Sequence, residues 1–279
     1  GIFAGGYNPS LTTNTSFITI ATLGNSINFG DLTVARRGIG AAASSTRAAF
    51  AGGQHPSSPN NTNTIDYVAI ATTGDAVDFG NNTGGTHTLG AGFQNSTRSG
   101  VAGGSGSTQQ IDVITTQSSG VSNDFGDLTD GRGGTTGASS PTRGLFFGGY
   151  KSPSSSSNNN IDYVTTSSTG NAADFGDLTQ PRYFFGAGSN AVRAVIGGGQ
   201  QNPEILNTMD FVTMGTLGTA IDFGDQTTSG YGASASASRT RCVWGGDSSP
   251  GLTNIMDYVE IMTTGNAMDF GDLNTAARY

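Results

Sequence analysis

The chain has 279 residues, of which 45 are Gly, with 11% charged side chains and a net charge of −8. Twenty acidic residues against twelve basic ones leave no basic face to displace counterions, which excludes nucleic acid as an expected partner. A single Cys and two His exclude an internal disulfide and a zinc site, and no apolar run approaches the length of about 18 residues that membrane insertion by a helix needs.

Lys, Glu and Gln are scarce, and Thr, Ser, Asn and Gly fill the polar positions, so strands and turns are expected throughout. The chain opens at Gly1 rather than Met and reads as processed material or a piece of a longer polypeptide. It begins on an apolar run into Gly5-Gly6, crosses a polar loop and reaches a Phe-Gly pair at Phe29. That pair returns at Phe79, Phe125, Phe175, Phe223 and Phe270, at intervals of 46–50 residues, usually inside Asp-Phe-Gly-Asp. Self-similarity at a fixed period is the mark of a repeat architecture.

The second copy is the clearest. Residues 37–44 predict a short strand A of small side chains, and 47–53 an apolar strand B stopped by glycines. Residues 64–72 predict strand C and 75–80 strand D, with Thr73-Gly74 as the tight turn between them. Four short antiparallel strands in about 48 residues make one blade of a β-propeller. Leucine-rich repeats need a shorter period, and ankyrin and tetratricopeptide units need helices. The expected fold is therefore all-β: one six-bladed propeller domain of four-stranded antiparallel blades. Its repeats fall at about 1–37, 38–87, 88–133, 134–183, 184–231 and 232–279.

The Gly-Gly pairs at 5–6, 52–53, 103–104, 148–149 and 198–199 are expected near the axis, where backbones converge. Phe3, Phe50, Phe147, Ile196 and Trp244 on strand B, with Tyr67, Tyr163, Phe211 and Tyr258 on strand C, are expected between blades with the six marker Phe. The final residues 274–279 match the stretch that leads into strand A. One strand A, the counterpart of residues 38–47, is therefore missing, and six is a lower bound on the number of blades.

An Arg, an apolar run into Gly-Gly, a variable loop, a Tyr-bearing strand and an aromatic strand together resemble the kelch repeat, with Phe where kelch carries Trp. The string Ile-Asp-Tyr-Val followed by Thr-Gly-Asn-Ala and Asp-Phe-Gly-Asp-Leu-Thr is also similar to repeats in virion and tail-fibre-like proteins of tailed phages of marine bacteria. The resemblance implies a propeller scaffold, on a virion or otherwise outside the cell, and by itself says little of activity.

Residues present in every blade serve the blade. The paired Asp of Asp-Phe-Gly-Asp are expected to bond local N–H groups; the sharper alternative is a calcium ion per blade, against which Asn81 replaces one acid without compensation. Arg47, Arg98, Arg143, Arg193 and Arg241 open strand B in five copies and are expected to pair with an Asp of the same or the neighbouring blade, the alternative being an arginine ring for an anionic ligand. His55 and His87 are expected on the surface, and no catalytic triad, Walker loop, metal site or cofactor site is found.

Variation concentrates in the B–C loops, at 7–16, 54–63, 105–110, 150–160, 200–207 and 247–254. Recognition is commonly placed on such loops, so Tyr7, Asn8, Gln54, His55, Tyr150, Lys151, Gln200, Gln201 and Asp247 are the candidate ligand-binding residues, suited to a cell-surface glycan. The expected function is a non-catalytic virion appendage contacting such glycans or other virion proteins. A cellular lectin-like adhesin and a polysaccharide-acting enzyme with its site in the central channel are the alternatives.

Overall fold

A computed structural model describes residues 1–55, 61–152, 156–248 and 250–278. It is a six-bladed β-propeller, with no helix among the described residues. Strands β1 (Ile2–Ala4), β2 (Asn14–Phe17) and β3 (Ile27–Asp31) form the first blade. The second holds β4 (Gly40–Ala43), β5 (Arg47–Ala51), β6 (Thr64–Ala69) and β7 (Val77–Asn81). The third holds β8 (Ala91–Gln94), β9 (Arg98–Ala102), β10 (Gln110–Thr115) and β11 (Asn123–Asp127). In the fourth, β12 (Thr136–Ser139) and β13 (Arg143–Phe147) precede a ribbon of β14 (Tyr150–Lys151) and β15 (Ser156–Ser157), then β16 (Asn160–Thr165) and β17 (Ala173–Asp177).

The fifth repeats that plan with β18 (Gly186–Ser189), β19 (Arg193–Gly197), the ribbon β20 (Gln200–Gln201) and β21 (Glu204–Ile205), β22 (Thr208–Thr213) and β23 (Ile221–Asp225). The sixth is β24 (Ser234–Ala237), β25 (Arg241–Ser248), β26 (Leu252–Glu260) and β27 (Met268–Asp272). Among the described residues the sheet of the first blade thus has three strands and those of the other five have four, the two ribbons lying outside them.

The Phe-Gly marker is explained by a β-bulge. In the second blade Ile65 pairs with Gly80 and Asp66 with Asp78, so Phe79 has no partner on β6. The same residue is skipped in all six blades. A bulge re-aims a side chain, and here it turns each marker Phe into the core, at 2–4% exposure. In five blades that ring meets an aromatic residue of strand C edge-on, as in Tyr67–Phe79 and Tyr163–Phe175 at 6.0 and 6.1 Å. The third blade has Val113 in that place, and Phe93 from β8 fills in, 5.3 Å from Phe125. Gly100 and Gly144 make room for it: a Cβ on either would stand within 3 Å of Phe93.

The rest of the repeated string joins each blade to the next. The N–H of Gly74 donates to the carbonyl of Phe29, and that of Ala76 to Asp31, at 2.8 and 2.7 Å. Equivalent pairs run from blade to blade and close the ring, where Gly24 and Ser26 donate to Phe270 and Asp272. The Asn that follows the turn glycine strengthens the same joint, with Asn171, Asn266 and Asn25 accepting from the N–H of Asp127, Asp225 and Asp272. The ring therefore closes at six blades.

Glycine at the marker is required by this approach. A Cβ on Gly80 would stand 1.8 Å from the carbonyl oxygen of Gly120, at a φ of +141°. The first Asp of the motif bonds locally, as where the N–H of Gly80 donates to Asp78 at 3.1 Å.

The Gly-Gly pairs do not sit at the axis. They turn the chain out of strand B in left-handed conformations, and a Cβ on Gly52 would stand 2.1 Å from the His87 carbonyl oxygen. At the axis the close approaches are made by strand A instead, where a Cβ on Gly92 would stand 1.8 Å from the carbonyl oxygen of Ala41.

The arginines that open strand B do not find aspartates. Arg47, Arg143, Arg193 and Arg241 lie over the rings of Tyr67, Tyr163, Phe211 and Tyr258 at 4.3–4.9 Å. They also reach backbone carbonyls of the following blade, such as Met214 from Arg143 at 3.0 Å. Among the described residues, Arg241 alone of the five meets a carboxylate, Glu260, at 2.7 Å. Arg98 has Val113 instead of a ring on strand C.

The ion pairs are elsewhere. Arg36, Arg132 and Arg182, in the loops from strand D to strand A, reach the strand-C residues Asp66, Asp162 and Asp210, all fully buried. Each Asp is also clasped by a Thr of the preceding Asp-Leu-Thr, as where the Thr33 hydroxyl and N–H donate to Asp66 at 2.6 and 3.2 Å. Burial pulls the Arg36 and Arg132 guanidinium groups below their ordinary values, opposed by the charge of the partner Asp. In the third blade His87 stands in for the arginine. It is 1% exposed, not a surface residue, with Nε2 3.0 Å from Asp112 and Nδ1 2.7 Å from the Gly103 carbonyl.

Candidate binding face

Antiparallel pairing brings the B–C loops and the D–A loops out at one end of the ring. There, in five blades, a residue at the start of the B–C loop pairs with the D–A loop that leads into the same blade. Tyr7 bridges Arg278, Gln54 bridges Arg37, Tyr150 bridges Gly133, Gln200 bridges Tyr183 and Ser248 bridges Tyr231. The parts of the candidate loops at 56–60, 153–155 and 249 lie outside the described residues.

These bridges assemble an arc of rings and guanidinium groups. Tyr150, Tyr183 and Phe184 meet edge to face with centroids 4.9–5.6 Å apart. Next along the ring, the Arg278 side chain donates to the Tyr231 hydroxyl at 2.6 Å and lies over both Tyr231 and Tyr7, at 5.4 and 5.7 Å. Arg37 lies over the other side of the arc, 5.2 Å from the Tyr7 centroid, and donates to Gln54 at 2.8 Å. Tyr7, Tyr150 and Tyr231 are half-buried, so each keeps ring surface open to a ligand. Burial, then the neighbouring hydroxyls of Tyr150 and Tyr231, push the Tyr183 hydroxyl up from its ordinary value.

Inside the arc lies the channel mouth, a cavity of about 140 Å³ walled by Leu89, Phe184 and backbone of the inner strands. Gly38, Leu89, Gly134, Phe184 and Gly232 occupy one register and are all left-handed, with φ of +57° to +85°. The N–H of each later member donates to the carbonyl of the one before it, at 2.7–2.9 Å. Leu89 and Phe184 hold a conformation that costs a side-chain-bearing residue about 1–2 kcal/mol. Strain of this kind collects at functional sites.

The candidates read from sequence divide here. Tyr7 and Tyr150 are in the arc, and Gln54 and Gln200 are in its supporting bridges. Asn8 forms a turn to Ser10, His55 is half-buried beside Gln54, and Lys151 pairs with Asp130. Gln201 pairs with Glu204 in a ribbon. Asp247 turns inward to the Thr253 hydroxyl at 2.7 Å, and burial, then the charge of Asp257, raises its pKa.

Arg37, Tyr183, Phe184, Tyr231 and Arg278 belong to D–A loops, whose even length hid them. The available signal was Phe184 standing where Gly38, Gly134 and Gly232 stand. Compared with family models and with curated proteins, the chain matches none.

Proposed function

We propose that the ring is a non-catalytic binding module whose loop face takes carbohydrate, and that it serves as a virion appendage of kelch-like type adhering to host glycans outside the cell. The observation that carries this is the arc of Tyr7, Tyr150 and Tyr231 with Arg37 and Arg278 around the channel mouth. A sugar ring offers an apolar C–H face and an edge of hydroxyls. Half-buried tyrosines match both, since the ring covers the face and the phenol bonds the edge. Rigid aromatic side chains also lose little entropy on binding. The similarity of the repeated string to virion and tail-fibre-like repeats supports the setting.

A turnover site in the channel is disfavoured by its wall. Around both channel cavities the side chains are those of Ala, Ser, Thr, Gln, Ile, Leu and Phe, so the lining offers hydroxyls but no carboxylate, imidazole or amine side chain to activate them or to move a proton. The test is a glycan array read with the wild type and with Tyr150→Ala and Tyr231→Ala. Each substitution is expected to weaken binding at least tenfold with the melting temperature held within a few degrees. An array blank for the folded wild type would sink the reading.

A further inference from the structure

The first blade has an empty place. In the other five blades the innermost position is filled by β4, β8, β12, β18 and β24, reading Gly-Ala-Ala-Ala, Ala-Gly-Phe-Gln, Thr-Gly-Ala-Ser, Gly-Ala-Gly-Ser and Ser-Ala-Ser-Ala. In the first blade β1 is the innermost strand, and no described strand pairs with its channel edge. Gly1 and Gly5 bond toward β2, through Ile18 and Asn14, so by alternation the N–H and C=O groups of Ile2 and Ala4 face the gap. The central channel, a cavity of about 360 Å³ lined by the innermost strand of every blade, opens onto that edge, where it reaches Ile2 and Ile20 on one side and Ala43, Ala48 and Phe50 of the second blade on the other. A second cavity of about 40 Å³ lies beside Ser16 and Ala277, which stand where the second to fifth blades carry the buried Asp and its cation.

We propose that this slot binds an extended strand of Gly, Ala and Ser residues, antiparallel to β1. An unpaired edge with a ladder of free backbone groups is the template for strand addition. The resident strands define the chemistry of the guest: apart from Phe93 and Gln94 of β8 and Thr136 of β12 they carry Gly, Ala and Ser, because neighbouring inner strands approach to the limit set at Gly92 and at Gly137, where a Cβ would stand 2.1 Å from the Gly92 carbonyl oxygen. The guest enters from the loop face. Arg278 bridges Tyr7 as Arg37 bridges Gln54, and from Arg37 the chain runs directly into β4. In register, two guest residues oppose Ile2 and Ala4 as Ala42 and Gly40 oppose Ala49 and Ala51. Strand β24 touches β1 as β4 touches β9 and β18 touches β25, joints where the inner strand of the following blade is in place, so that contact is compatible with the guest.

The test uses the intact chain and a synthetic peptide with the sequence of residues 38–44, Gly-Ile-Gly-Ala-Ala-Ala-Ser. Saturable binding of one peptide per chain is expected, with the melting temperature raised by about 5–10 °C at a hundredfold excess over Kd. A peptide with Pro in place of Ala42 is expected to bind at least tenfold more weakly, since it lacks the N–H that meets β1. In the chain, Ile2→Pro removes an N–H on the slot side and leaves the bonds to β2, and is expected to weaken the unmodified peptide at least tenfold. Hydrogen exchange at the Ile2 and Ala4 amides is expected to slow when the peptide is added to the wild type. No saturable binding, or binding that leaves those amides unprotected and ignores both prolines, would overturn the proposal.

Discussion

Asp66→Asn is expected to destabilise the ring by about 3–5 kcal/mol, read as a lowered denaturation midpoint at an unchanged m-value. The side chain is fully buried and faces Arg36 at 3.0 Å, with Thr33 donating to both of its oxygens. An amide of the same shape can keep the threonine bonds, but it leaves the guanidinium charged, buried and unpaired. The sixth blade supplies the control. There Asp257 is clasped by Thr227 in the same way, while Gly230 stands where Arg36, Arg132 and Arg182 stand.

Burial, opposed by the Thr227 bonds, raises the Asp257 pKa above the ordinary 3.8. The folded state then holds its proton more tightly than the unfolded chain. Stability from this group is present at low pH, falls as pH rises from about 4 through the raised value, and stays lowered above it. Asp257→Asn is therefore expected to stabilise the protein at neutral pH and leave it unchanged or weaker near pH 4. Asp247 is raised by burial as well, so part of the pH dependence is expected to survive in that variant. Equal losses for Asp66→Asn and Asp257→Asn at neutral pH would show that the missing arginine is not what separates the two sites.

The contrast also marks what could be read from the chain. Recurrence of Phe29-Gly30 through Phe270-Gly271 gave the number of units, and strand A to strand D followed from their punctuation by Gly. Repetition assigns equal roles to equivalent residues without naming their partners. Asn171 and Asp127 are 44 residues apart, and each is local to its own motif until the blades are set side by side. Asp66 alternates with Ile65 and Tyr67 and reads as the outward residue of a strand; the bulge at Ile65/Asp66 and the neighbouring blade make it a buried one. His87 escaped comparison with Arg36 because it follows Asn82 by five residues, whereas Arg36 follows Leu32 by four. At the candidate face the variable B–C loops drew attention, while the more regular D–A loops carry Tyr183, Phe184 and Tyr231.

Phe175→Ala is expected to cost about 3–5 kcal/mol in the same denaturation measurement. The bulge leaves this residue without a ladder partner and turns its ring into a cluster with Leu145, Ile161, Ile196 and Val212, where it is 3% exposed. Those neighbours come from the fourth and fifth blades, so the cavity left behind lies between blades and cannot close by a shift within one sheet. Backbone bonds on both sides of the site, from Gly218 to Phe175 and from Ala220 to Asp177, resist collapse of the interface. Tyr163 also loses its edge-on partner, which leaves Arg143 stacked on a ring free to tilt.

A paired substitution separates burial from ring geometry. Phe175→Leu keeps most of the apolar volume and loses the aromatic contact, and is expected to cost about 1–2 kcal/mol. A midpoint unmoved by Phe175→Ala would mean that the marker ring is not part of the core. Equal effects of Ala and Leu would mean that the edge-on contact with Tyr163, rather than filled volume, holds these two blades together.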